Sequence, residues 1–352
     1  MTSAVCYRQI HEEYYKLERE PVFVEKDKSI IMHKASHQGR SMRKARIYFN
    51  GQTHLYTEDT GSTFEVKYKT QHFSVSTICD GHGGYMASYI VTDSIPELFS
   101  LCLELSFGNV RIALERLFAE LTLYISSIAD IIGNSGTTCN VTVFDEKNDI
   151  VYIASLGDSP TLKYSKGNDG KYSLIWKSDD QDCEDMEERE RMLKIHRDNG
   201  NENAVDSDVV YQAILEGKET GIWRNCRTRC MTHSSFGDLK NNYYPGMVNT
   251  KPRIYSKKWT GSDIWIQCSD GLFDGLNHLR IGIQPCREAR LEEIARHLDI
   301  CDRSDNVADS LHQMQTDSIL KEKMDKHPLR LDSTRYWIES NTDNRLTKVF
   351  MW

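Results

Sequence analysis

Apolar and polar positions alternate with period two through Phe64-Glu65-Val66-Lys67-Tyr68 and again through Phe73-Ser74-Val75-Ser76-Thr77-Ile78-Cys79. This predicts two strands, the second half-buried, with Phe73, Val75 and Thr77 facing one way and Ser74, Ser76 and Ile78 the other. The second run ends in a glycine-rich turn, Asp80-Gly81-His82-Gly83-Gly84. Beyond it the period becomes helical: Ala87, Ile90, Val91, Leu98, Cys102 and Leu105 stand mostly three and four apart. Pro96 is expected to break or kink that run, because it lacks the amide hydrogen a helix interior uses. A second helix follows, with a one-sided stripe of Val110, Leu114, Leu117, Leu121, Tyr124 and Ile128 that reads as core packing.

Gly133-Asn134-Ser135-Gly136 stops that helix. Thr137 to Phe144 then reads as a β-branched strand, joined through Asp145–Asp149 to a hairpin partner, Ile150–Leu156, which ends at Gly157-Asp158-Ser159. Further strands are expected at Thr161–Tyr164 and Tyr172–Trp176. Residues 178–208 are crowded with acids beside Arg189, Arg191 and Lys194, the pattern of an exposed charged helix or flap. Little periodicity follows up to Asn242, and Ser234-Ser235-Phe236-Gly237-Asp238 is another Gly-Asp turn. A strong strand, Ile264–Ser269, delivers Asp270-Gly271-Leu272-Phe273-Asp274. Leu291, Ile294, Ala295 and Leu298 suggest a helix, and Val307, Leu311 and Met314 a second one capped by Ser304 or Asp305. Asp343-Asn344 leads into a last apolar strand ending at Met351.

At the other end, residues 1–45 read as a polar extension feeding a first strand at Ile47-Tyr48-Phe49. Strands grouped in hairpins and helices grouped in adjacent pairs indicate an α+β fold with antiparallel sheets, since βαβ units would alternate the elements. The expected organisation is one domain over 46–352 with a charged flap insertion at about 178–245.

Composition narrows the class. Of 352 residues, 39% are hydrophobic and 27% charged, as in a soluble globular protein. Forty-four basic against 52 acidic residues give −8, which argues against a surface built for nucleic acid or an anionic membrane. No stretch approaches the ~18 apolar residues of a spanning helix, and Met1–Arg8 lacks a signal-peptide core. A cytoplasmic or nuclear location is therefore expected. Ten cysteines without a C-x-x-C pair read as reduced structural thiols rather than disulfides or a zinc site.

The candidate chemistry lies at the strand ends. In Asp80-Gly81-His82 a carboxylate, an unshielded carbonyl and an imidazole could form a hard-cation site with a proton donor beside it. The same turn also reads as a helix cap eased by glycines. Glu58-Asp59 sits in the polar turn just before, where paired carboxylates usually face solvent. Asp80, Asp270 and Asp343 each stand where an apolar strand meets a turn. Oxygen ligands without a His/Cys cluster suit magnesium or manganese better than zinc.

Asp80-Gly81-His82-Gly83-Gly84, Ser135-Gly136-Thr137-Thr138, Gly157-Asp158-Ser159, Ser235-Phe236-Gly237-Asp238, Ser269-Asp270-Gly271-Leu272-Phe273-Asp274 and Asp343-Asn344 resemble, in order, the motifs of the metal-dependent serine/threonine protein phosphatases of the protein phosphatase 2C family. The resemblance spans about residues 55–351. It implies a four-layer α-β-β-α sandwich, two antiparallel sheets flanked by pairs of antiparallel helices, with two Mn2+ or Mg2+ ions at one end. Asp80 would bridge both ions; the Gly81 carbonyl and Glu58 would serve one, and Asp270 and Asp343 the other. Asp158 and Asp274 match positions that hold a third ion in some members. A metal-bridging hydroxide would attack phosphorus in line, the ions lying ~4 Å apart. His82 would protonate the departing serine or threonine alkoxide. The implied partner is a phosphorylated protein substrate, with no nucleic acid and no membrane insertion, and the chain itself is expected to be a monomer.

The chain departs from the family where a phosphate-binding arginine is usual four residues before the Glu-Asp pair; that position is His54. An imidazole cannot reproduce the arginine fork, so Arg40, Arg43 or Arg46 would have to reach in. Pro160 replaces the arginine usual after Gly-Asp-Ser, and the Asp-His pair expected near the flap's start is replaced around Asp180-Gln181-Asp182. Asp305-Asn306 is a second Asp-Asn pair, but it opens a helical pattern, whereas Asp343-Asn344 leads into a strand. Two functions follow: an active phosphatase, or a pseudophosphatase that works as a protein-binding module.

Overall fold

The β-branched and aromatic runs pair as antiparallel hairpins in the computed structural model, which describes residues 31–37, 46–49, 52–55, 58–182, 185–205, 210–214, 221–225, 234–239, 246–274, 280–281, 284–285, 287–301, 306–308, 310–315 and 345–351. One five-stranded sheet contains β2 (Thr63–Tyr68), β3 (Gln71–Ile78), β6 (Cys139–Asp145), β7 (Ile150–Leu156) and β11 (Arg253–Lys258), in the order β11-β7-β6-β3-β2. The other contains β1 (Ile31–His37), β8 (Thr161–Lys166), β9 (Tyr172–Lys177), β12 (Asp263–Cys268) and β13 (Arg345–Met351), in the order β1-β13-β12-β8-β9. A small third sheet joins β4 (Gly81–His82), β5 (Gly136–Thr137) and β10 (Phe236–Gly237). The expected α+β class with antiparallel sheets is what forms.

Part of the stretch read as an N-terminal extension is structured: β1 is an edge strand, with Met32 opposite Phe350 of β13. The strand expected at Ile47–Phe49 is Arg46–Phe49, and it pairs with Gln52–Leu55 in a separate hairpin. The β6–β7 hairpin closes as expected, Asp145 pairing with Ile150.

Strand β3 departs from the half-buried expectation, being buried on both faces from Val75 onward. Phe73 and Val75 pack in the core beneath two helices, α1 (Met86–Leu105) and α2 (Val110–Ser127). The opposite face meets the second sheet, where Ser76 donates to Gln267 at 2.6 Å. Helix α1 runs unbroken through Pro96. Pro inside a helix costs ~3 kcal/mol, but Ile95, Phe99 and Leu103 are fully buried on the same helix, each contributing about 1.5–3 kcal/mol. Tertiary burial therefore outweighs the local breaker. In α2 the expected stripe is buried from Val110 to Leu121, while Tyr124 is 43% exposed and Ile125 takes its place inward.

On the second sheet, α4 (Arg287–Ile300) and the helical residues at 307–308 and 310–315 pack Ile294, Leu298, Val307 and Leu311 against Leu162, Ile266 and Val349. Asn306 caps that last segment, its Oδ1 accepting from the Ala308 amide at 3.1 Å; the expected caps, Ser304 and Asp305, lie outside the described residues. The charged stretch read as a flap contains α3 (Met186–Asp198), capped by Asp185 accepting from Glu187 N at 2.9 Å. It is not wholly exposed as expected, because Glu188, Met192 and His196 are buried. Cys79, Cys102, Cys139 and Cys268 are buried free thiols. Among the described residues no helix is long and apolar enough to cross a membrane.

The sheets meet over a mixed interface of Phe144, Val151 and Ile153 with Trp265 and Phe350 and a polar network. Gln267 accepts from Ser76 and donates to the carbonyl and side-chain oxygens of Asn140, both at 2.9 Å. Every member is buried, so removing one strands the others. Gln267→Leu is expected to lower stability by about 2–4 kcal/mol, read as a lower urea midpoint at unchanged slope.

Candidate active site

Just beyond β3 stands Asp80, whose main chain is clamped: its amide donates to Thr138 Oγ1 at 3.1 Å, and its carbonyl accepts from Thr138 N at 2.9 Å and Thr137 Oγ1 at 3.0 Å. The next turn folds back so that the Gly84 amide donates to Glu58 Oε1 at 2.8 Å. Gly84 sits at φ +133°, a conformation closed to residues with a Cβ. Glu58 is fixed from below as well, its carbonyl accepting from Ser88 Oγ of α1 at 2.5 Å. Glu58 is thus held against the turn that Asp80 opens, and both are partly exposed. Asp59, read as one of two solvent-facing acids, is instead 3% exposed.

Three more strand ends bring acids here. Burial raises the Asp158 carboxyl, at the end of β7, to about 7; the Asp182 and Asp180 carboxylates push the same way and His82 opposes them. Burial likewise holds the Cys268 thiol, at the end of β12, above the usual thiol range. Lys177 opposes that shift, while Asp180, Asp270 and Asp80 add to it. Asp80, Asp158, Asp180, Asp182 and Asp270 therefore share one end of the two sheets. Lys177 at the end of β9 partly balances them, its Nζ donating to Asp180 Oδ1 at 2.6 Å.

His82 lies on β4, in register with Gly136 of β5, which pairs in turn with Gly237 of β10. This small sheet carries Asp238 to the imidazole: Nε2 and Asp238 Oδ2 are 2.7 Å apart, with the carboxylate 5% exposed and the ring 31%. Ser235 Oγ donates to the same oxygen at 2.6 Å. In the sequence Ser235–Asp238 reads as a Gly-Asp turn and as one of the family's motifs, with no role assigned to Asp238. The signal that could have promoted Asp238 was its motif neighbourhood, but register with His82 is a tertiary fact. Ser135 Oγ completes the corner, accepting from Ala87 N at 3.0 Å and donating to Gly84 O at 2.6 Å.

Other expected site residues are not described to the same degree. Asp343 and Arg40 and Arg43 lie outside the described residues, and for Asp274, Arg46 and His54 only the backbone is described. Among the described residues no three His, Cys, Asp or Glu side chains form a ready-made metal-holding group. The donors that do converge are oxygens, and burial, with the neighbouring Asp182 and Asp180 carboxylates adding to it, raises the Asp158 carboxyl to about 7. That chemistry fits a hard divalent cation, whose charge relieves the crowding. A cavity of ≈ 590 Å³ beside α2, lined by Arg111, Phe118, Thr122, Leu123, Pro252 and Ile254 among others, includes none of these acids.

The family model for protein phosphatase 2C matches residues 37–298. No curated protein matches the chain. Among solved structures, a serine-threonine phosphatase 2C from Toxoplasma gondii is similar at 12% identity and a TM-score of 0.59, over 94% of this chain and 97% of that one. A C. elegans sex determining protein is similar at 15% identity and a TM-score of 0.57, over 98% of this chain and 70% of that one. At such identities these two likenesses speak for the fold.

Proposed function

The chain belongs to the protein phosphatase 2C family, and from that premise we propose that it is a metal-dependent enzyme hydrolysing phosphoserine and phosphothreonine in proteins. The observation that carries the reading is the convergence at one sheet end of Glu58, Asp80, Asp158 and Asp270 with an Asp238-bonded His82. Asp80 would hold two Mn2+ or Mg2+ ions, the Gly81 carbonyl and Glu58 serving one and Asp270 and Asp343 the other, with Asp158 and Asp274 for a third. Such ions, when bound, acidify a water and offset charge on phosphoryl oxygens.

The chain's own residues supply the rest. His82 donates the proton that the departing alkoxide needs. Asp238 holds Nε2, so proton delivery falls to Nδ1, and the carboxylate steadies the imidazolium while it carries the proton. Ser235 keeps that carboxylate aimed. Arg40, Arg43 or Arg46 anchors the phosphate in place of the arginine that His54 replaces, and the monomer acts on its phosphoprotein through the flap side of the site.

The test is phosphate release from a phosphoserine peptide with added manganese. Wild type is expected to turn over, chelation to stop it, and Asp80→Asn to weaken manganese binding by more than ~10-fold in calorimetry. Absence of wild-type turnover across a range of manganese and magnesium concentrations would sink the enzyme and leave the binding-module reading.

A further inference from the structure

The flap helix reaches the proton donor through a chain of polar contacts that begins at buried Glu188 and ends at buried Asp238. Glu188 of α3, its side chain 4% exposed, accepts from Arg191 Nε at 2.8 Å with one oxygen and from Asn249 Nδ2 at 2.8 Å with the other. The remaining guanidinium nitrogens of Arg191 donate to the carbonyls of Gly246 and Met247. A planar fork that engages two consecutive carbonyls fixes both the position and the direction of that backbone. Asn249 is held twice more: its Oδ1 accepts from Lys251 N at 3.0 Å, and its carbonyl accepts from Ser235 N at 3.0 Å. Ser235 Oγ then donates to Asp238 Oδ2, which bonds His82 Nε2.

We infer that α3 positions the proton donor: the Glu188–Arg191 clamp sets residues 246–249, and Asn249 sets the Ser235–Asp238 turn that aims His82. This rests on the assignment of His82 above. Glu188, Ser235 and Asp238 are each under 5% exposed, so solvent does not replace a lost link. A buried carboxylate stripped of one donor, or a donor stripped of its acceptor, must rearrange. The rearrangement runs along the backbone to Ser235. Asn249 is thus a positioning residue, distant in sequence from the group it serves, and the flap contributes to chemistry as well as to surface.

The experiment compares Asn249→Ala with Lys194→Ala, which removes an exposed ion pair to Asp198 on the same helix. Each is assayed on a phosphoserine peptide and on p-nitrophenyl phosphate, alone and in a His82→Ala background, after circular dichroism establishes that each folds. Asn249→Ala is expected to slow the peptide by ~10–100-fold, to slow the aryl ester much less, and to add nothing once His82 is gone. Lys194→Ala is expected to match wild type. A readout independent of turnover is the NMR resonance of the His82 Nε2 proton, present in wild type and shifted or lost in Asn249→Ala. Equal slowing of both substrates, losses that multiply with His82→Ala, or an unmoved resonance would each overturn the inference. If wild type hydrolyses neither substrate, the phosphatase reading fails, and the resonance alone decides whether α3 positions His82.

Discussion

Replacing His82 with alanine is expected to lower kcat/KM on a phosphoserine peptide by about 10²–10⁴-fold, while p-nitrophenyl phosphate is hydrolysed at nearly the wild-type rate and manganese affinity holds. The contrast follows from what leaves. A serine alkoxide is a strong base and departs only as it is protonated, whereas p-nitrophenolate is stable as an anion and departs unaided. A residue that only delivers a proton therefore matters for the first and not for the second. Asp238→Asn provides the intermediate case. It preserves shape at a carboxylate 5% exposed and 2.7 Å from Nε2, and removes the charge that steadies the imidazolium. A hydrogen bond to a charged group contributes about 1.5–3 kcal/mol, so roughly a 10–100-fold loss on the peptide is expected at ~1.4 kcal/mol per decade. Equal losses on both esters would show that His82 does not serve the leaving group, and loss of manganese binding would show that it holds the site together.

The parts of the fold written in local pattern are legible in the sequence. The β6–β7 hairpin, the α2 stripe and the strands ending at Asp80 and Asp270 depend on period and on turn chemistry, which act within a few residues. What the pattern missed is set by distant partners. Pro96 would break an isolated helix, but here Ile95 and Phe99 are fully buried in the core under α1. Ser76 reads as a solvent position, but it lies between two sheets opposite Gln267. Asp59 reads as half of an exposed acidic pair, yet it is buried. The candidate site divides in the same way. Asp80, Glu58 and His82 stand in or beside a glycine turn and announce themselves. Asp238 lies 156 residues beyond His82, and only the pairing of β4, β5 and β10 brings the two together.

That pairing leaves room for no side chain at Gly136, and Gly136→Ala is accordingly expected to imitate the loss of His82. A Cβ built there falls well inside van der Waals contact of Asp238 Oδ2 and His82 Nε2 at once. Gly136 does not occupy the left-handed region, so the backbone itself tolerates alanine. The strain falls instead on the two side chains. Asp238 is enclosed and tied to Ser235, while the His82 ring is 31% exposed, so the imidazole is the group that can swing away. Peptide turnover should then fall by about 10²–10⁴-fold, at a stability cost of only about 1–3 kcal/mol for overpacking. Gly136→Ala combined with His82→Ala should be no slower than His82→Ala alone, since both remove one interaction. Wild-type turnover in Gly136→Ala would mean that the imidazole works without its carboxylate; multiplied losses in the double variant would mean that Gly136 serves the site by some route other than the His82–Asp238 pair.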